Sequence, residues 1–375
     1  MWLRDSAAQV SHYIDGGLAR DDVQVQMLIE GVIRRQIHFI SVDPYANSFK
    51  ISLHRYPTPE DKLLRRGGHV ATGNYELDSL CYFLRLSYLY WEATRDLTVE
   101  VFDSEWVGAV RTIVDLMTVE QRHHEKSPYT YIGIGDELPP RGRGAPVGFT
   151  GMTWTGFRPS DDACKYGYLI PANAMAATTL KWAAKILQTL PGESAAELAD
   201  RCVKLSYEID DGIHKYGVKE VPGYGKIYAF EVDGLGGVNL MDDANVPSLL
   251  SLTYMQYTTP HDPKGEIAAN TRRWVMSKEN PFMYESGKFR GIGSPHTPRG
   301  NIWPMALTVE ALTSNDKQEV RRVFDLLQAS DAGTFKMHES FAASNPSSFT
   351  RHWFAWANSL FSEAVMAKMN LLCPL

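Results

Sequence analysis

Cysteine is scarce in this chain and long apolar runs are missing. Among 375 residues there are only four cysteines, at 81, 164, 202 and 373. No two of them share the C-x-x-C spacing that holds zinc or forms a redox pair, so neither a metal knuckle nor a disulfide scaffold is implied. Cys81 and Cys202 fall inside helical patterns and read as small core residues. No apolar stretch reaches the length of a membrane-spanning helix, which excludes a membrane partner of that kind. There is no low-complexity linker, no block of one charge and no internal repeat, so a superhelical repeat protein is set aside. The net charge of −6, with basic residues scattered, argues against nucleic acid as a partner. No signal peptide is visible, and no N-x-Ser/Thr acceptor lacks a central proline, since Asn345-Pro346-Ser347 carries one. That leans towards the cytoplasm without fixing a compartment. The opening Met1-Trp2-Leu3-Arg4-Asp5 does not read like a natural start, and an upstream segment is expected.

What is present suits a large helical core. Apolar residues make up 44% of the chain and aromatics 11%, with nine Trp and eighteen Tyr. Apolar residues at helical spacing predict helices over Asp5–Arg20, Asp22–Ile40, Leu77–Thr94, Thr98–His124, Pro171–Leu190, Ser194–Tyr216, Val246–Tyr257, Lys264–Ser277, Trp303–Ser314, Lys317–Ser330 and Arg351–Leu371. Leu77–Thr94 is apolar on most sides, as a buried helix should be. Lys219–Phe230 reads as one β-hairpin. A long Gly- and Pro-rich loop is expected from Lys126 to Arg158, with others over Gly287–Asn301 and Asp331–Ser348. Eleven or twelve helices, almost no sheet and long loops bearing acids and aromatics predict an all-α toroid of helical hairpins, one domain over 1–375, its cleft built by the loops.

The stretch Thr153–Pro171 carries the strongest chemical signal. Asp161 and Asp162 follow Arg158-Pro159-Ser160, flanked by Trp154, Phe157, Tyr166 and Tyr168. Ser160 is a good helix N-cap, and adjacent acids on a helix point about 100° apart, so the two are expected to do different work. A plain capped helix start is the bland reading. The arginine and aromatic company favours a carbohydrate site, which needs flat apolar faces beside carboxylates and guanidinium groups. Glycoside hydrolysis needs a second carboxyl group, and Glu339, in Met337-His338-Glu339-Ser340-Phe341, is the best distant candidate. Glu76 and Asp78, the run Asp242–Ser248 with Asn245, and Glu231-Val232-Asp233-Gly234 are further candidates, each of which could equally be a cap. His296 could bind a hydroxyl, and Trp2-Leu3-Arg4-Asp5 combines a stacking face, a fork donor and an acceptor.

Six segments, spread in order over nearly the whole chain, resemble glycoside hydrolase family 125, the exo-α-1,6-mannosidases: Met1–Ser6, Asp43–Phe49, Tyr75–Tyr82, Phe157–Asp162, Met241–Ser248 and Met337–Phe341. The resemblance implies an (α/α)6 barrel and a metal-independent, cofactor-free, inverting hydrolase of terminal α-1,6-linked mannose, acting on N-glycan or mannan-type oligosaccharides. It implies Asp161 as general acid and Glu339 as general base, with Arg4, Asp5 and His296 lining the terminal-mannose subsite. Glu76, Asp78, Arg158, Asp162, Asn245 and His338 are added as substrate-binding candidates, and Asp162 is expected to hold sugar hydroxyls or orient Arg158. Inversion predicts a carboxyl separation of roughly 6.5–9.5 Å. The family pattern also implies that the first hairpin continues upstream of Met1. The alternatives are another (α/α)6 exo-glycosidase, a toroid that binds sugar with little catalysis, and a purely structural toroid; the last is favoured if Trp2, Trp154 and Trp303 are all buried.

Overall fold

The computed structural model describes residues 1–15, 17–50, 58–94, 100–133 and 137–372. Cys373 and the start of the helix expected from Thr98 lie outside them. Among the described residues there are thirteen α-helices: α1 (Leu3–Asp15), α2 (Leu18–Asp21), α3 (Val23–Val42), α4 (Pro59–Leu63), α5 (Leu77–Thr94), α6 (Ser104–Glu120), α7 (His123–Lys126), α8 (Ile170–Leu187), α9 (Glu193–Gly212), α10 (Glu266–Val275), α11 (Pro304–Leu312), α12 (Lys317–Ala329) and α13 (Ala355–Leu372). The chain divides into two compact units, one of Met1–Ala7, Gly17–Tyr216 and Glu231–Asn239, the other of Ala8–Gly16, Gly217–Phe230 and Leu240–Leu375.

The first unit is built on α5, α8 and α9. Nearly every side chain of α8 is buried, and its run of Ala172, Ala174, Ala176, Ala177, Ala183 and Ala184 lets α5 and α9 pack closely on it. Thr178 and Thr179 donate their hydroxyls back to Ala174 O and Met175 O, at 3.0 and 2.9 Å. Their β-branching costs a few tenths of a kcal/mol in a helix, whereas each buried Leu or Ile beside them contributes about 1.5–3 kcal/mol, so packing decides. Leu198, Cys202, Leu205 and Ile209 form the buried face of α9. Asp22 and Asp103 cap α3 and α6 by accepting backbone N–H bonds from the first turns.

The long loop after α7 is anchored by side chains in place of a ladder. Asn173 accepts from Thr153 N at 2.8 Å and donates to Thr153 O at 3.0 Å. Tyr75 O takes Gly156 N and Phe157 N, both at 3.1 Å, and Leu77 N donates to Thr155 Oγ1. The loop is thereby docked against the entry to α5. Trp154, Phe157 and Tyr168 are buried, and Trp154 stacks on His123 at 3.5 Å. Three of the four aromatics expected beside a sugar, Trp154, Phe157 and Tyr168, instead fasten this loop, and Tyr166 is half-buried.

The second unit packs α11, α12 and α13 around Leu307, Ala311, Val323, Leu327 and Ala357. It carries the expected hairpin, Val218–Val221 with Gly225–Tyr228. A second hairpin, Met283–Ser286 with Phe289–Ile292, and a three-stranded sheet of Asn301–Ile302, Ser340–Ala342 and Asn345–Thr350 were not expected.

Three sequence expectations need correction. The single helix Asp5–Arg20 is broken, because Gly17 takes a left-handed φ of 77° and starts α2. Val246–Tyr257 is a series of turns: Asp242 takes Leu249 N and Leu250 N at 2.8 and 2.9 Å, and Gln256 sits at φ 56°. Ser160 caps no helix, because Asp161 has φ 68° and the segment closes as a turn, with Arg158 N bonded to Asp162 O at 2.8 Å.

Candidate active site

The turn at 158–162 delivers Asp161 to the start of α5. Phe157 and Ala163 form a β-bridge across it, and Asp161 N donates to Arg158 O at 2.9 Å. Aspartate is among the few residues that accept a left-handed backbone readily, but the conformation still costs about 1 kcal/mol, and such strain gathers at functional sites. Asn47 Nδ2 donates to Asp161 Oδ1 at 3.0 Å, and Thr72 Oγ1 holds Asn47 Oδ1 at 2.7 Å. Asn47 was not singled out from sequence, although it lies in the Asp43–Phe49 segment.

Around Asp161 the first unit gathers most of its expected acids. Arg4, on the first turn of α1, donates Nη1 to Glu76 Oε2 at 2.7 Å and to Asp78 Oδ2 at 3.2 Å; its Nε lies 3.6 Å from Asp5. Burial works against the Arg4 charge, and Glu76, Asp78, Asp5 and Asp161 overcome it, holding the guanidinium charged well above its usual range. Burial pushes Asp78 up to about 6 despite Arg4. Burial likewise drives Glu76 far above the ordinary carboxyl range; Arg4 opposes this, and Asp161 and Asp78 push it further. The Glu76 and Asp78 side chains are 0% exposed, and each meets Arg4. Trp2 is only half-buried, with the Arg4 guanidinium 5.9 Å from its ring centroid.

Arg158 is fixed by a partner that the sequence offered only as one acid among several. Its Nε donates to Glu231 Oε1 at 2.6 Å, and Glu231 Oε2 accepts Lys165 N at 3.1 Å. Asp162 accepts Ser160 Oγ at 3.0 Å, while its carbonyl closes the turn on Arg158 N. Asp162 therefore orients Arg158 through the backbone, and Glu231 does so through the side chain.

In the second unit Glu339 leads a strand of the three-stranded sheet, its N–H bonded to Thr350 O at 3.3 Å. Arg351 Nε reaches Glu339 Oε1 at 2.9 Å from a side chain that is 58% exposed. Arg351 carried no sequence signal. His338 is completely buried and stacks on Phe349 at 3.7 Å; its ring nitrogens lie 2.9 Å from His352 O and 3.2 Å from Asp331 O. His338, expected to bind sugar, has both ring nitrogens beside main-chain carbonyls and braces the two loops next to Glu339. Asn245 is buried and donates Nδ2 to Asp243 Oδ1 at 2.9 Å. His296 is exposed on the loop before Asn301, its ring 6.4 Å from that of Trp303. Trp303 is buried and donates to Thr297 Oγ1 at 2.8 Å.

A family model described as metal-independent α-mannosidase (GH125) matches residues 1–366. The chain belongs to glycoside hydrolase family 125. It is 38% identical over 388 residues to the meiotically up-regulated gene 157 protein of Schizosaccharomyces pombe, across 97% of this chain and 74% of that protein. It is 40% identical, with a TM-score of 0.90, to a Streptococcus pneumoniae structure from a study of metal-independent α-mannosidases, a non-productive complex with α-1,6-mannobiose; the match covers 100% of this chain and 86% of that one. A bacterial glucoamylase complexed with acarbose superposes at a TM-score of 0.62 over 99% of this chain and 49% of its own, at 13% identity, and so bears on fold alone. This family 125 chain is accordingly a glycoside hydrolase of the (α/α)6-barrel class. Among the described residues no cluster of three or more His, Cys, Asp or Glu side chains could hold a metal, and no helix is long and apolar enough to cross a membrane.

Proposed function

We propose that this α-mannosidase, as one catalytic domain, removes terminal, non-reducing α-1,6-linked mannose from mannose-containing oligosaccharides by single displacement with inversion. The observation that carries the substrate is the 40%-identical structure holding α-1,6-mannobiose. Asp161 is read as the general acid and Glu339 as the general base. The Asp161 proton passes to the glycosidic oxygen as the C1–O bond breaks. A water attacks C1 from the opposite face and gives its proton to Glu339, and β-mannose leaves.

The local structure supports these roles. Asn47 fixes one oxygen of Asp161, and Glu76 stands against it as a second, fully buried carboxyl group. Arg351 occupies one oxygen of Glu339, leaving the other for water. Arg4 and Asp5 are read as the groups that present hydrogen-bonding capacity to the terminal mannose, with Arg158, Asp162, Asn245 and His296 as further contacts. The test is release of mannose from α-1,6-mannobiose. Asp161→Asn and Glu339→Gln should each lower kcat by about 10²–10⁴-fold, the usual worth of a proton-transfer group. Full activity in either variant refutes that assignment.

A further inference from the structure

One guanidinium serves four carboxyl groups in the first unit. Arg4 contacts Glu76, Asp78 and Asp5, and the charge of Asp161 also acts on it. Even fully charged, Arg4 offsets one negative charge of four. Two carboxylates about 4 Å apart repel by roughly 4 kcal/mol at an effective dielectric of 20. Protonating an ordinary glutamate at neutral pH costs about the same, near 3.7 kcal/mol. Burial and a second like-charged neighbour tip that balance, so the cluster holds a proton.

Geometry says where. Asp5 is 21% exposed at its side chain and Asp161 is half-buried, so water can solvate their charges. Asp78 and Glu76 both take Arg4, each keeps one buried oxygen without a donor and both feel the charge of Asp161, but it is Glu76 with which Asp161 is in hydrogen-bonding contact. Glu76 Oε2 is taken by Arg4 and by Ser79 Oγ at 2.9 Å, while Oε1 is buried and has no donor within normal reach. A buried oxygen that lacks a donor, next to another carboxyl group, is where a carboxylic proton is least costly.

We propose that Glu76 and Asp161 share one proton, and that Glu76 thereby keeps Asp161 supplied with it at neutral pH. The inference rests on Asp161 being the general acid. When Asp161 protonates the leaving oxygen it is left as a carboxylate. Both carboxyl groups are then briefly charged beside Arg4, and solvent restores the one proton to the pair. Glu339 releases to solvent the proton it took from the attacking water, so one water is consumed per bond and no charge accumulates. Around Glu76 stand Arg4 from α1, itself met by Asp5, Asp78 from α5, Asp161 from the turn, and the Cys164 thiol just beyond it, which burial holds above its usual range. The placement agrees with the upward shift of Glu76, caused first by burial and then by Asp161 and Asp78 against Arg4.

The test measures kcat/KM against pH for wild type, Glu76→Gln and Asp161→Asn on α-1,6-mannobiose and on α-mannosyl fluoride, whose leaving group needs no acid. Asp161→Asn should lose the disaccharide and keep the fluoride; if it keeps both, the acid reading itself fails. Given that outcome, Glu76→Gln should move the basic limb on mannobiose down by about one pH unit or more and leave the pH profile on the fluoride unmoved. A uniform fall on both substrates with the limb unmoved overturns the proposal and leaves Glu76 a structural partner of Arg4. Should Glu76→Gln fail to fold, Glu76→Asp withdraws the carboxyl by one methylene and should move the same limb less far; an unmoved limb there overturns it equally.

Discussion

Arg351 meets Glu339 from a strained backbone: its Nε lies 2.9 Å from Glu339 Oε1 while its own φ is 47°. A left-handed arginine costs about 1 kcal/mol, and an ion pair so exposed is worth no more than about that. Stability alone gives no reason for the arrangement, whereas the general-base role proposed for Glu339 does. Arg351→Gly should therefore leave the unfolding midpoint near wild type, because relief of strain offsets the lost pair. Arg351→Ala keeps the strain and should be about 1 kcal/mol less stable than the glycine variant. Both should lose about ten- to a hundredfold in kcat through a loosened Glu339. Denaturant melts beside steady-state rates check this; wild-type kcat in the glycine variant contradicts it.

Arg4 is the counter-charge that lets the buried acids coexist. Arg4→Met removes the donor to Glu76 and Asp78 and leaves those carboxyl groups without a cation. Breaking a buried pair by deleting one partner costs about 3–5 kcal/mol. Urea unfolding should show a loss of that order, with activity on mannobiose abolished. A change below about 1 kcal/mol would show that the cluster does not depend on Arg4.

Asp242 gives a pH signature in stability. Burial raises it from 3.8 to about 7, although Leu249 N and Leu250 N bond to its carboxyl. Between those values the folded chain binds a proton that the unfolded chain has lost. The contribution of Asp242 to stability thus falls as pH rises through that window, by up to about 1.4 kcal/mol per unit, and levels off above it. Asp242→Asn should flatten this slope. Melts from pH 4 to 8 compare the two, and an identical slope in both contradicts the reading.

Much of this architecture is legible in the amino-acid sequence itself. The expected Leu77–Thr94 matches α5 because nearly all its positions are apolar, and Lys219–Phe230 folds as the hairpin its glycines suggest. Period fails where side chains compete for the backbone. Asp242 and the pair Ser248–Ser251 claim the N–H groups that a helix over Val246–Tyr257 needs. In the site, the charged residues of Arg4–Asp5 and Glu76–Asp78 can be named from their motifs. That they form one buried cluster with Asp161 depends on Asn47 and on the docking of 153–157 against Tyr75, contacts between positions far apart in sequence. The same is true of Glu231 beside Arg158. Trp154 and Phe157 resemble a sugar platform in the sequence because a stacking face and a core plug share one composition; only burial separates them.

The central claim is that Asp161 and Glu339 act on opposite faces of the sugar in one displacement. Proton NMR of the first mannose released from α-1,6-mannobiose, recorded before mutarotation, tests it most directly. The β-anomer should appear first and decay towards equilibrium. If the α-anomer appears first, the reaction retains configuration and Glu339 cannot be a general base activating water.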